Sequence, residues 1–370
     1  MNLHKIVFIT GHEYNSPRKT GFYFWADILR DDGIRINWIT VGQSCLSVFK
    51  KSFKKNRQAE PYNEWVNVKD SIKSFVWRPL FHPVNLGLLN IPLRAFFSLY
   101  PKQMPKRLKN ELKGSDVVIL ESGAGLMMVP DIRKLCPNAK IIYYASDRMD
   151  TLKAHPAIVR AEKQAMPDLD LIRVASTDRI MDFKDHPKVR YIPQGIDKNA
   201  FNKEYSNPYT APKNIICAGD MLFDADAVKI MGELFPDVQF HLFGKNAVMK
   251  SPLPNVLEYG EYAFEKMIPY LKNADIGIAP YKSEKNANYF AQSGLKIGQY
   301  TYCRMPVVLP DTITNMPKHL ISYKNNDKAS IRTAIEAAFS YNRDEIDKSV
   351  IPGWNDVINQ ILVEAGVMKT

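Results

Sequence analysis

Cysteine is scarce in this sequence: Cys45, Cys136, Cys217 and Cys303 are the only four in 370 residues, and no two stand in a CxxC or Cys/His cluster. That spacing argues against a disulfide scaffold and structural zinc, and suits thiols kept reduced in the cytosol. The seven histidines, among them His82, His155 and His241, show no ligand spacing and read as structural. No stretch approaches the roughly 18 consecutive apolar residues that a spanning helix needs. The opening MNLHKIVFIT is too short and too strand-like for a signal peptide. Between Gly11 and Gly21 there is no GxGxxG fingerprint, which disfavours a nicotinamide enzyme. Internal repeats and low-complexity tracts are also lacking.

What is present suits a globular α/β protein: 45% hydrophobic and 24% charged residues, in a chain long enough for two cores. HKIVFITG (4–11), RINWITVG (35–42), DVVILESG (116–123), KIIYYASD (140–147), LIRVAST (171–177) and VRYIPQG (189–195) read as strands, with a helix over 21–33 closed by Gly33. The Asn-, Pro- and Lys-rich stretch 196–214 lacks periodicity and reads as an interdomain linker. Alternation then resumes with strands at 214–220, 238–244, 256–262, 275–281 and 306–310. Helices are expected over DAVKIMGELF, over FEKMIPYLKNA, from Ser293, and in two closing segments. The pattern predicts two tandem Rossmann-like domains, residues 1–198 and 199–370, with the last helix free to pack back on the first. Ligands of such folds lie beyond the carboxyl ends of the strands.

Net charge is +11, and residues 48–113 hold most of it, with fourteen Lys/Arg against four Asp/Glu. In VFKKSFKKNR (48–57) and LNIPLRAFFSLYPKQMPKRLK (89–109) basic and large apolar residues alternate. Lys50, Lys51, Phe53, Lys54, Lys55, Arg94, Phe96 and Phe97 are therefore expected to face an anionic membrane surface rather than nucleic acid. An ordinary solvated basic face would leave the same trace.

The stretch SGLKIGQYTYCRMPVVLP (293–310) places Lys296 in the first turn of a helix, with Gln299 on the same face. A cation is unfavourable there. A bound anion would rationalise it, since the first amides of a helix have no internal partners and suit a phosphate. An exposed Lys and Gln on an amphipathic helix is the alternative. Asp147 follows the strand KIIYYAS and suits a base at the crevice; it would equally serve as a helix N-cap, and Asp150 competes for the catalytic role. The loop GHEYNSPRKT (11–20) brings His12, Arg18 and Lys19 as candidates to hold an acceptor, or is simply solvated. Two DxD patterns, Asp168/Asp170 and Asp224/Asp226, are weak evidence for a metal: one precedes a strand, the other suits a helix cap.

LKIGQYTYCRMPVVLP resembles the nucleotide-binding segment of GT-B glycosyltransferases; YIPQGID (191–197) and LKNADIGIAPY (271–281) resemble further strands of that superfamily. Retaining members carry two glutamates eight residues apart where this chain has Ala291 and Gln299, so a retaining site is not expected. A closer resemblance, through SPRK (16–19), ASD (145–147), GDMLFD (219–224), EY (261–262) and PY (280–281), is to the GumK-like family of membrane-associated inverting glucuronosyltransferases of exopolysaccharide synthesis. It implies transfer of glucuronate from UDP-glucuronate to a polyprenyl-diphosphate-linked oligosaccharide, with no cofactor or metal, on the inner face of the cell membrane. It also implies Asp147 as base and Met221, Glu261, Tyr281, Leu295, Lys296 and Gln299 as donor contacts. The family favours Met where this chain has Leu295, a mild change for an apolar contact. The rival readings are a retaining hexosyltransferase of the same fold and a non-catalytic lipid- or nucleotide-binding module.

Overall fold

The strand-like runs of the sequence are apolar on both faces, and such strands are stable only in a sheet covered on both sides. That is how they are used in the computed structural model, which describes residues 3–16, 19–45, 60–149, 154–282, 287–314 and 316–368. The chain forms two compact units: one holds the chain up to Ala175, Arg179–Ile192 and the residues from Ile358 on, and the other holds Ser176–Asp178 and Pro193–Val357.

The first unit contains the strands β1 (Lys5–Thr10), β2 (Arg35–Thr40), β3 (Trp65–Lys69), β4 (Ile72–Val76), β5 (Val117–Glu121), β6 (Lys140–Ala145), β7 (Leu171–Val174) and β8 (Val189–Tyr191), in the order β3-β4-β2-β1-β5-β6-β7-β8. One face of β1 packs Phe8 against Phe22 and Trp38 near helix α1 (Gly21–Asp31). The other face sends Val7 and Ile9 into a second cluster. That cluster takes in residues of α3 (Lys106–Leu112), α4 (Val129–Leu135) and α5 (Pro156–Ala165); α2 (Arg94–Ser98) places none in it and buries Phe97 alone. Six strand pairings in this sheet are parallel, as the sequence reading expects, although β4, which takes part in one of them, was not read as a strand. One departs from it. β3 runs antiparallel to β4 at the sheet edge, through a turn in which Ser71 takes a left-handed φ of 60°. This hairpin lies inside the basic segment, where the charge pattern obscured it.

The second sheet is built from β9 (Asn214–Ala218), β10 (Gln239–Phe243), β11 (Val256–Gly260), β12 (Ile276–Ile278), β13 (Val307–Pro310) and β14 (Leu320–Tyr323), in the order β11-β10-β9-β12-β13-β14. Alternate residues of β9 enter different clusters. Ile216 and Ala218 pack with Ile268, Leu271 and Tyr300, from α8 (Phe264–Asn273) and α10 (Leu295–Tyr302). Ile215 and Cys217 pack with Val228 and Ile335, from α7 (Ala225–Leu234) and α11 (Lys328–Phe339). The stretch read as a linker is part of this fold. It contains α6 (Lys198–Asn202), capped by Asp197 Oδ1, and it buries Phe201 and Tyr209 in the core. Aromatic anchors at irregular spacing leave no period to read. Helix α9 (Ala287–Ser293) precedes α10, and α12 (Trp354–Glu364) closes the described elements.

Both sheets have a switch point, where consecutive crossovers leave in opposite directions: between β1 and β5 in the first, and between β9 and β12 in the second.

Candidate functional site

In the second unit, α10 is set against the sheet by a missing side chain. A Cβ on Gly277 of β12 would sit 2.5 Å from the Tyr300 ring, so only glycine admits that ring. The Tyr300 hydroxyl accepts from the Ala218 amide at 2.7 Å and lies 3.3 Å from the carbonyls of Ile216 and Ile278, within donating reach of both. The helix is thereby pinned across the switch point, and Lys296, one turn before Tyr300, and Gln299, next to it, are fixed with it; both are buried.

Lys296 Nζ donates to the Gly219 carbonyl at 3.2 Å and lies 5.0 Å from the centre of the Tyr281 ring. Gly219, the residue after β9, has φ of 103°, a conformation that L side chains rarely adopt. Burial pushes the Lys296 ammonium down, but Cys217, Tyr281 and Asp220 outweigh it, so the net shift is upward and the cation persists. Among the described residues no carboxylate comes within ion-pair distance of it. The helix that carries it starts at Gly294 without a side-chain cap or an acid in its first turn. A buried cation beside uncapped amides is a combination that suits an anion.

The other donor candidates belong to the same unit. Tyr281 is buried and Leu295 half-buried. Met221 is 47% exposed in the loop after β9; that loop is tied down where Asp224 N donates to the Pro280 carbonyl and Lys282 N to the Leu222 carbonyl. Glu261 stands exposed just beyond β11 and bonds to no described residue. Ala291 and Gln299 are both buried and put no carboxylate at the positions they occupy.

In the first unit, Asp147 sits two residues beyond β6, half-buried. Its amide donates to Ser122 Oγ at 3.0 Å, and its carbonyl accepts from Ser122 Oγ and from Arg179, each at 2.9 Å. Ser122 Oγ lies 3.0 Å from the Tyr143 hydroxyl, which donates to Glu162 at 2.6 Å, and Arg179 also bonds the Ala145 carbonyl. The backbone is clamped, while among the described residues the carboxylate takes a single 3.2 Å bond, from Ser146 Oγ. Asp147 does not cap α5; His155 does, with Nδ1 accepting from the Ala157 amide. Asp150 lies outside the described residues.

Sequence reasoning missed Glu121. It ends β5 at the first switch point, where its Oε1 accepts from the Gly11 amide at 2.8 Å and from the Thr10 hydroxyl. Burial pushes its carboxyl up, the Asp147 charge adds to that, and His12 opposes it. Glu121 thus feels the charges of His12 and Asp147 at the carboxyl ends of β1, β5 and β6. The sequence places Glu121 inside a strand run, and only the strand order brings it beside Thr10. Because its folded pKa is raised, the site is most stable below the unfolded value near 4.5 and loses stability as pH rises through the folded pKa. Glu121→Gln keeps an oxygen to accept both bonds, and it should gain in melting temperature over the parent at pH 8 but not at pH 4; an equal shift at both pH values would refute the assignment.

Lys19 is exposed, 4.5 Å from the Tyr23 ring centre, and Arg18 lies outside the described residues. So do Lys50, Lys51, Phe53, Lys54 and Lys55. Arg94 and Phe96 are exposed. Phe97, expected on the same face, is buried; one residue round the helix from Phe96, it turns inward to meet the His155 ring at 4.8 Å. Neither DxD pattern gathers a ligand set: Asp170 pairs with Arg133 and Lys140, and Asp224 caps α7. His241 is held between Tyr259 and Asn214, its pKa lowered to about 4 by burial.

Comparison with known proteins bears on the family and the fold. Residues 8–175 match the family model described as glucuronosyltransferase GumK, N-terminal domain. The chain is 27% identical over 360 residues to the UDP-glucuronate:glycolipid 2-beta-glucuronosyltransferase of Xanthomonas campestris pv. campestris, covering 96% of this chain and 88% of the relative. Among solved structures it is similar to sucrose-phosphate synthase from Thermosynechococcus elongatus, with TM-score 0.64, 13% identity and 97% of each chain covered. Anabaena Alr3699/HepE, in complex with UDP and glucose, gives TM-score 0.62 at 13% identity, over 99% of this chain and 100% of that one. At such identities these two structures speak for the fold alone.

Proposed function

We propose, from the premise that this chain is a GumK-like glycosyltransferase of the GT-B fold, that it moves glucuronate from UDP-glucuronate to a polyprenyl-diphosphate-linked oligosaccharide. Transfer inverts the anomeric centre, needs no metal ion, and takes place at the inner face of the cell membrane. The observation that carries this reading is Lys296, a buried cation whose described polar partner is a carbonyl, at the switch point of the second sheet.

The chemistry follows from the residues. Asp147 takes the proton from the acceptor hydroxyl, whose oxygen attacks the anomeric carbon from the face opposite the diphosphate. The bond to UDP breaks, and the charge it leaves is met by Lys296 and the first amides of α10, the task a divalent ion performs in other transferases. Inversion needs one carboxylate base. The absence of carboxylates at Ala291 and Gln299 supports it over the retaining alternative.

The test is to incubate the purified protein with matched radiolabelled UDP-sugars and extracted lipid-linked oligosaccharide, with and without EDTA, and to count label in the organic phase. Label from UDP-glucuronate alone, unaffected by EDTA and in the inverted anomer, is the expected result. Label from a different sugar overturns the donor, and abolition by EDTA overturns the metal-free mechanism.

A further inference from the structure

The first unit contains a pocket of about 450 Å³ whose lining includes none of the strand-end residues His12, Glu121 and Asp147. Ile91, Arg94, Pro101, Met127, Arg160 and Ala161 are among its lining residues. Two guanidinium groups therefore share one cavity whose walls are otherwise mostly apolar, with Ser98 and Gln164 as the other polar side chains. No acidic residue lines it, and among the described residues neither arginine has a carboxylate within ion-pair distance. Burial and the neighbouring Arg94 charge together pull Arg160 below the usual guanidinium range. A protein gains nothing in stability from two like charges held together over apolar walls; the arrangement is explained by an anion that bridges them.

The wall itself says what kind of anion. The segment that carries Ile91 and Arg94 exposes Leu88 at 93% and Ile91 at 82%, with Leu86, Phe96 and Leu99 also exposed. Isolated exposed apolar residues are ordinary, but five within fourteen residues, contiguous with a pocket, mark a surface for an apolar partner. Apolar side chains at the rim and paired cations within suit an amphiphile that leaves the bilayer headgroup first.

We propose that this pocket is the binding site for the diphosphate and first isoprene units of a polyprenyl diphosphate, with Arg94 and Arg160 gripping the two phosphates. This rests on the lipid-linked acceptor of the proposed function, and it adds where that lipid is held. The assignment makes Arg94 and Arg160 binding residues that take no part in proton transfer or departure of UDP.

Farnesyl diphosphate serves as the probe, titrated calorimetrically into the full chain. Saturable binding is expected, weakened at least about tenfold by Arg94→Gln and by Arg160→Gln, since each removes a charge-assisted pair. The melting temperature and the far-UV circular dichroism should be unchanged in both variants, which checks that the first unit is folded, and UDP affinity should be unchanged because the donor residues belong to the other unit. Farnesol and inorganic pyrophosphate should each bind far more weakly than the probe, and phosphatidylglycerol vesicles should fail to displace it. Equal binding of the probe by the Arg94→Gln/Arg160→Gln double variant would overturn the site. Displacement by the vesicles would overturn the diphosphate assignment in favour of general headgroup binding, and pyrophosphate binding as tightly as the probe would overturn the isoprene contact. Binding is read without turnover, so these failures leave the transferase reading standing, whereas loss of transfer from UDP-glucuronate would not touch the pocket.

Discussion

Asp147→Asn should lower the transfer rate by about 10²- to 10⁴-fold, the range over which a positioned general base contributes. The substitution is nearly isosteric, and the bonds that hold residue 147 in place run through its backbone to Ser122 and Arg179, so the strand end should keep its geometry. UDP affinity should not change, because the donor residues belong to the other unit. Asp150→Asn is the companion variant, expected to retain most activity. If the two variants exchange behaviours, the base is Asp150; if neither loses activity, the base lies elsewhere and Glu121 becomes the first candidate.

Lys296→Met should have an effect of comparable size by a different route. Removing one preorganised donor from the site of developing charge lowers kcat by about 10²- to 10³-fold. UDP binding should weaken too, since the cation meets the diphosphate in both ground and transition states. The variant should stay folded: methionine refills most of the volume, and no partner carboxylate is left with an unpaired charge. Steady-state kinetics with UDP titration decides it. An unchanged kcat would remove Lys296 from the leaving-group site and leave the buried cation without a task.

The residues behind these two expectations were legible because strand ends show in sequence. Asp147 follows KIIYYAS, and Lys296 sits in the first turn of a helix whose apolar continuation into PVVLP is plain. What stayed hidden depends on order in space. Glu121 matters because β5 lies beside β1, and nothing in DVVILESG says which strand will be its neighbour. The hairpin of β3 and β4 was masked by charge, and β14, with an exposed Ser322 in its run, shows no continuous apolar stretch. The stretch from Ile196 to Asn214 showed no period because Phe201 and Tyr209 hold it by isolated anchors. Phe97 shows the limit from the other side: composition alone cannot say which of two adjacent phenylalanines faces the core, but the turn of a helix does.

The path of the chain has a consequence for biosynthesis. The first unit is not closed by its own stretch of sequence; it includes residues from Ile358 on, where Ile358, Ile361, Leu362 and Ala365 are completely buried and Glu364 pairs with Arg190. An emerging chain that has made all eight strands of the first sheet therefore still lacks part of that unit's apolar cover. It must wait through synthesis of the entire second unit, with that surface uncovered and open to chaperones. Order of translation and order of completion are reversed: the unit begun first is finished last.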